Sequence, residues 1–117
     1  MAKKRAKARR RISSNRVELV CRKGTCFVRP PDKRVKRLKQ IVWHGANTGG
    51  TIMFPTTCPF GWRIRSFPRG GSVASGPALA GCALGKYEYI AYCTHCQKKG
   101  SRLLARGRSN PRVIVDP

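Results

Sequence analysis

The charge on this chain limits what it can become. Its four acids, Glu18, Asp32, Glu88 and Asp116, stand against 26 lysines and arginines, and the formal net charge is +22. Like charges at that density oppose compaction unless a polyanion supplies countercharge. Nucleic acid is the usual polyanion for a small protein. An anionic membrane surface would call for an amphipathic helix with a broad apolar face, and the sequence has no such pattern. No run approaches the ~18 apolar residues of a membrane span. Hydrophobic residues still make up 40% of the chain, enough for a core, so disorder throughout is not expected. The length of 117 residues is one domain's worth.

Residues 1–16 read as a basic arm. Lys3, Lys4, Arg5, Lys7, Arg9, Arg10 and Arg11 make seven of its first eleven residues cationic, and Arg16 ends it. Such a run does not fold alone. It has no apolar stretch behind it that would make a signal peptide, so the expected setting is cytoplasmic.

Residues 17–117 form the body. "VELVCRKGTCFV" reads as two short strands around a turn at Lys23–Gly24. If that turn has two residues, Arg22 faces Thr25 and Cys21 faces Cys26. From Val35 to Trp43, spacing leaves helix and strand both open. Thr51–Phe54, a short run at Trp62–Ile64, "KYEYIAYC" and "RVIV" are further strands. Within "KYEYIAYC", Tyr87, Tyr89, Ala91 and Cys93 fall on one face. Short strands at loop-rich intervals predict an all-β fold, a small antiparallel sandwich or barrel.

Four landmarks in this body, taken in order, are "IVW", "TIMFP", "GKYEY" and "NPRVIVDP". Their sequence and spacing resemble the cupredoxins, the plastocyanin-like Greek-key β-sandwiches. The resemblance covers about 100 residues and implies an antiparallel Greek-key sandwich. It also implies one-electron transfer at copper, which needs two imidazoles, a thiolate and a weak axial thioether. Cys93 stands where the copper cysteine would be, and His95 could serve as the second histidine. The first histidine position falls near Thr51, His44 comes earlier, and no methionine follows Met53. The copper set is therefore incomplete.

The cysteines admit several readings. Cys93 and Cys96 form a C-x2-C pair, a common zinc half-site. Cys21 and Cys26 are a plausible second half. The four thiolates would make a closed structural zinc site, with His95 as a substitute ligand. Against this stand buried thiols without metal and a cross-strand Cys21–Cys26 disulfide. Cys58 and Cys82 read as single buried thiols. In a reducing compartment, metal ligands or thiols come ahead of disulfides.

Two more basic blocks follow the arm. One has Arg29, Lys33, Arg34, Lys36, Arg37 and Lys39; the other has Lys98, Lys99, Arg102, Arg106, Arg108 and Arg112. Arg63, Arg65 and Arg69 lie between them, beside Trp62 and Phe67, which could stack on unpaired bases. Neutralising ~6–10 phosphates would give steep salt dependence. Four scattered acids offer no carboxylate pair, and neither a nucleophile triad nor a phosphate loop appears. The sequence thus points to a non-enzymatic nucleic-acid-binding protein with no small-molecule substrate. No major-groove reading helix is evident. RNA is favoured over DNA, within a ribonucleoprotein particle such as a ribosome and beside other proteins. The alternatives are a genome-packaging virion protein with a basic arm and a copper electron carrier.

Overall fold

A computed structural model describes residues 15–94 and 110–117, with the backbone of 103–104. Strand β1 (Arg16–Arg22) turns into β2 (Thr25–Arg29). Lys23 and Gly24 both have positive φ, 52° and 73°, the signature of a tight two-residue hairpin turn. The register is the expected one, with Arg22 opposite Thr25 and Cys21 opposite Cys26. Next come β3 (Asp32–Lys36), β4 (Val42–Gly45), β5 (Gly50–Met53), β6 (Ile64–Phe67) and β7 (Ser72–Ala74). The chain ends with β8 (Gly85–Glu88), β9 (Ile90–Cys93), β10 (Leu103–Leu104) and β11 (Arg112–Asp116).

Three sheets result, in strand orders β2-β1-β4-β7, β10-β9-β5-β6 and β3-β11-β8. The fold is the expected all-β sandwich, with one amendment. The pairs β1–β4 and β3–β11 are parallel. These partners are separated by whole hairpins or more, so local alternation carries no trace of their direction. The stretch Val35–Trp43 is strand, turn and strand. Val35 and Ile41 are buried and Leu38 points out, which breaks the helical spacing.

"KYEYIAYC" keeps one alternation but serves two sheets. β8 pairs with β11, and β9 pairs with β5. At the switch lies Tyr89, fully buried. Its ring is 5.6 Å from that of Trp43, and the Trp43 indole N–H donates to its hydroxyl at 3.3 Å. Burial pushes the Tyr89 phenol well above its ordinary pKa. Phe54, Phe60 and Trp62 surround Trp43 edge-on at 5.9–6.4 Å. Each such side chain taken from water contributes roughly 1.5–3 kcal/mol. β9 also lies against β1 and β2, and this contact closes the sandwich. Among the described residues no helix is long and apolar enough to cross a membrane.

Candidate nucleic-acid interface

The candidate surface is built around the turn that ends β3. Leu38 sits there with φ +70°, a conformation that costs a non-glycine residue roughly 1–2 kcal/mol. Tethers to the 78–82 loop hold it. Leu38 N–H donates to the Ala78 carbonyl at 2.8 Å, and Ala78 N–H to the Lys39 carbonyl at 2.8 Å. The Arg37 guanidinium donates twice to the Cys82 carbonyl, at 3.0 and 2.6 Å. Lys39 N–H closes the turn on the Lys36 carbonyl at 3.1 Å.

Beside this turn lies an open groove of about 570 Å³. Arg34, Lys36 and Lys39 give it positive charge, and Val35, Leu38 and Pro77 give it apolar surface. Asn15 lines it too. Its carbonyl accepts from Val42 N–H at 2.9 Å, so the start of β1 is fixed at the groove wall. The arm cations Lys3 to Arg11 lie outside the described residues, yet the point from which that arm departs is set. Arg16, expected in the arm, is instead the first residue of β1, with its guanidinium 2.6 Å from Glu18.

The other expected cations divide by face. Asp32, Arg34 and Lys36 share the outer side of the β3-β11-β8 sheet with Arg112, Asp116, Lys86 and Glu88. Three of the four acids are therefore on this one face. Arg112 clamps Asp32 with two hydrogen bonds, at 3.0 and 2.6 Å. That clamp holds the Asp32 carboxyl below its ordinary pKa. Arg34 bonds Asp116 at 2.6 Å. Lys33 faces the other way and is partly buried, and this desolvation lowers its pKa. Arg63 and Arg69 are exposed on either side of β6, and neither lines the groove. Lys98, Lys99, Arg102, Arg106 and Arg108 lie outside the described residues. Their segment leaves β9 beside Cys93, whereas the arm leaves from the other end of β1. Five residues of strand separate Arg16 from Cys21, about 17 Å.

The stacking expectation is not met by this structure. Phe67 is buried, and Gly50 exists to admit it: a Cβ on Gly50 would meet Phe67 Cζ and Leu19 Cδ2 at 2.6 Å. Trp62 packs on Phe54 at 5.3 Å and donates to the Ser75 carbonyl at 2.8 Å. Its remaining face is covered by the Arg65 guanidinium, 5.0 Å from the ring centroid. Arg65 is fixed there by the Ala74 carbonyl at 3.0 Å. A base would have to displace Arg65 to reach Trp62.

The cysteines take a different arrangement from the four-thiolate zinc site. Cys26 and Cys93 form a disulfide with Cα atoms 5.8 Å apart, and Cys21 is disulfide-bonded as well. Sulfurs bonded in this way are not thiolate donors, so zinc does not fit this set. The cross-strand Cys21–Cys26 alternative also falls, because Cys26 reaches across the sandwich to Cys93. Cys96 and His95 lie outside the described residues. Cys58 and Cys82 are free thiols, half-buried where buried ones were expected. Among the described residues no three His, Cys, Asp or Glu side chains gather to hold a metal. For copper, Cys93 is where the resemblance requires it but is bonded to Cys26. His44 cannot join it: Trp43 fills the inner face of β4, so His44 projects from the outer one, opposite Glu18.

No family model matches the sequence, and no curated protein matches it. Three solved structures of amicyanin variants are similar in the course of the chain. An oxidised proline-to-glycine variant has 14% identity and a TM-score of 0.49, covering 92% of this chain and 88% of its own. A reduced proline-to-phenylalanine variant has 14% identity and a TM-score of 0.48, covering 91% and 87%. An oxidised methionine-to-lysine variant has 15% identity and a TM-score of 0.45, again covering 91% and 87%. At such identities and scores these likenesses do not bear on what the chain does. The strand order gives an all-β sandwich with two parallel pairs among antiparallel ones and a late strand passing from one sheet to another.

Proposed function

We propose that this protein binds nucleic acid, RNA in preference to DNA, without catalysing a reaction. One observation carries the reading. The basic arm departs from Asn15, in the wall of the groove that Lys36 and Lys39 line. A backbone drawn along that groove would meet the arm and the body together. Charge does the binding here, because each phosphate neutralised releases condensed counterions. A ribonucleoprotein particle, with other proteins and folded RNA, is the proposed setting. A cytoplasmic location belongs to the same proposal, and the Cys26–Cys93 bond weighs against it, since cytosolic thiols are kept reduced. Trapping thiols in native material would tell which holds.

The test is fluorescence anisotropy of the full chain with labelled RNA and DNA across a salt series. Neutralisation of ~6–10 phosphates predicts a log–log slope of about −4 to −7 on single strands. Binding that is absent, or indifferent to salt, would sink the proposal. Tighter binding to DNA of equal length would remove the RNA preference alone.

Copper electron transfer is the second reading, and the position of Cys93 at the end of β9 favours it. It would need the bond to Cys26 open and a histidine other than His44. Stoichiometric copper with visible charge-transfer absorption in native material would establish it. Closed particles formed on adding RNA would instead favour a virion protein.

A further inference from the structure

We infer that Leu38 is a base-contacting residue, and that its groove takes an unpaired nucleotide. This rests on the nucleic-acid reading above and adds which form of nucleic acid the groove takes. At 67% exposure Leu38 is the most open large apolar side chain among the described residues. Its exposure is fixed by structure: it holds a left-handed backbone, φ +70°, inside a turn tied to the 78–82 loop through Arg37, Leu38 and Lys39. Chain fraying would not produce such a tethered conformation. Non-glycine residues kept in that region tend to serve a site.

The surroundings fit one occupant. Pro77 and the edge of the largely buried Val35 add apolar surface beside Leu38. Lys36 and Lys39 stand on either side of Leu38 in the chain, placed to meet the phosphates that flank that base. Gln40 supplies an amide at the groove edge, able both to donate to and accept from a base edge. A duplex keeps its base faces stacked, so it can use the lysines but not the leucine. An unpaired base can be splayed out onto an apolar side chain. Leu38 therefore discriminates by strandedness, whereas the cations act on any phosphate.

The experiment compares two labelled RNAs on the full chain by anisotropy at about 0.15 M salt. One is an oligouridine of about 12 nucleotides, and the other is a duplex of the same length. Leu38→Ala should weaken oligouridine binding about fivefold and leave duplex binding within about twofold. Leu38→Phe, which offers a stacking face, should tighten oligouridine binding. Ile64→Ala, also at an exposed apolar residue but away from the groove, should change neither. Equal losses on both RNAs, or no loss on either, would overturn the assignment and leave general nucleic-acid binding standing. Leu38-dependent binding to phosphatidylserine vesicles, with oligouridine binding unchanged, would overturn it in favour of a lipid surface. Wild-type protein that binds neither RNA would remove the parent reading as well.

Discussion

The two ends of β1 are built on opposite plans. At the Cys21 end the chain is closed covalently: Cys26 is bonded to Cys93, and Phe67 is pressed onto Gly50. At the Arg16 end no disulfide is present among the described residues. There a strained turn, a few hydrogen bonds and two lysines surround an open groove. A chain of charge +22 has much repulsion to overcome. The difference suggests a division of labour, with stability concentrated at one end and the other left for a ligand that brings the missing charge.

The sharpest way to break that division is at the closed end. The Cys26–Cys93 bond spans 67 residues, and a crosslink over such a loop is worth about 4 kcal/mol in the chain-entropy account. The double variant Cys26→Ser/Cys93→Ser should lose stability on that scale in urea titrations. Its RNA affinity, measured where it remains folded, should stay within about twofold. A large loss of affinity in folded variant would show that the two ends are coupled.

Deleting residues 1–11 tests the open end. Seven cations go, and the log–log salt slope on single-stranded RNA should flatten by about 5. Affinity at low salt should fall by about 100-fold or more, or ~2.7 kcal/mol. The urea midpoint should hold or rise slightly, because self-repulsion falls. An unchanged slope would show that the arm touches no phosphate. Within the groove, Lys36→Ala/Lys39→Ala should cost about tenfold in affinity, or ~1.4 kcal/mol, and flatten the slope by about 1.4. Arg63→Ala/Arg69→Ala, outside the groove, should cost less; an equal loss would mean the cations act as a diffuse cloud.

What the sequence could show follows the range of the forces involved. The Cys21–Cys26 register needs only a two-residue turn, and Lys23–Gly24 is such a turn. The alternation through Tyr89, Ala91 and Cys93 is local, so it too was legible. The switch of sheets at Tyr89 was not, because a strand keeps its alternation whichever partner it takes. The disulfide partner of Cys26 depends on β9 packing over β2, 67 residues away. At the candidate site, the lysines were legible as charge. Which of their neighbours were neutralised was not: Asp116 meets Arg34 across 82 residues. Trp62 and Phe67 looked like stacking groups because basic residues flank them. Their burial follows from Trp43 and Gly50, which are distant in sequence. Leu38 was missed because an exposed leucine resembles a core residue until its φ is known.

The smallest expected effect concerns the acid-bearing face. Arg112 holds the Asp32 carboxyl below its ordinary pKa. A carboxyl depressed in the fold adds stability above its unfolded pKa, about 3.9, and that contribution disappears as pH falls through the folded value. The Asp32 side chain is 43% exposed, so solvent screening keeps the contribution of the pair small. Asp32→Asn should therefore cost a little stability at pH 7, and the gap from wild type should close below about pH 4 in urea titrations. The same substitution releases Arg112 from its carboxylate and raises the charge at Arg112, which does not line the groove. RNA affinity should rise by no more than about twofold. A gain as large as the loss on removing Lys36 and Lys39 would mean RNA reads total charge, and the groove would then have no special claim on its ligand.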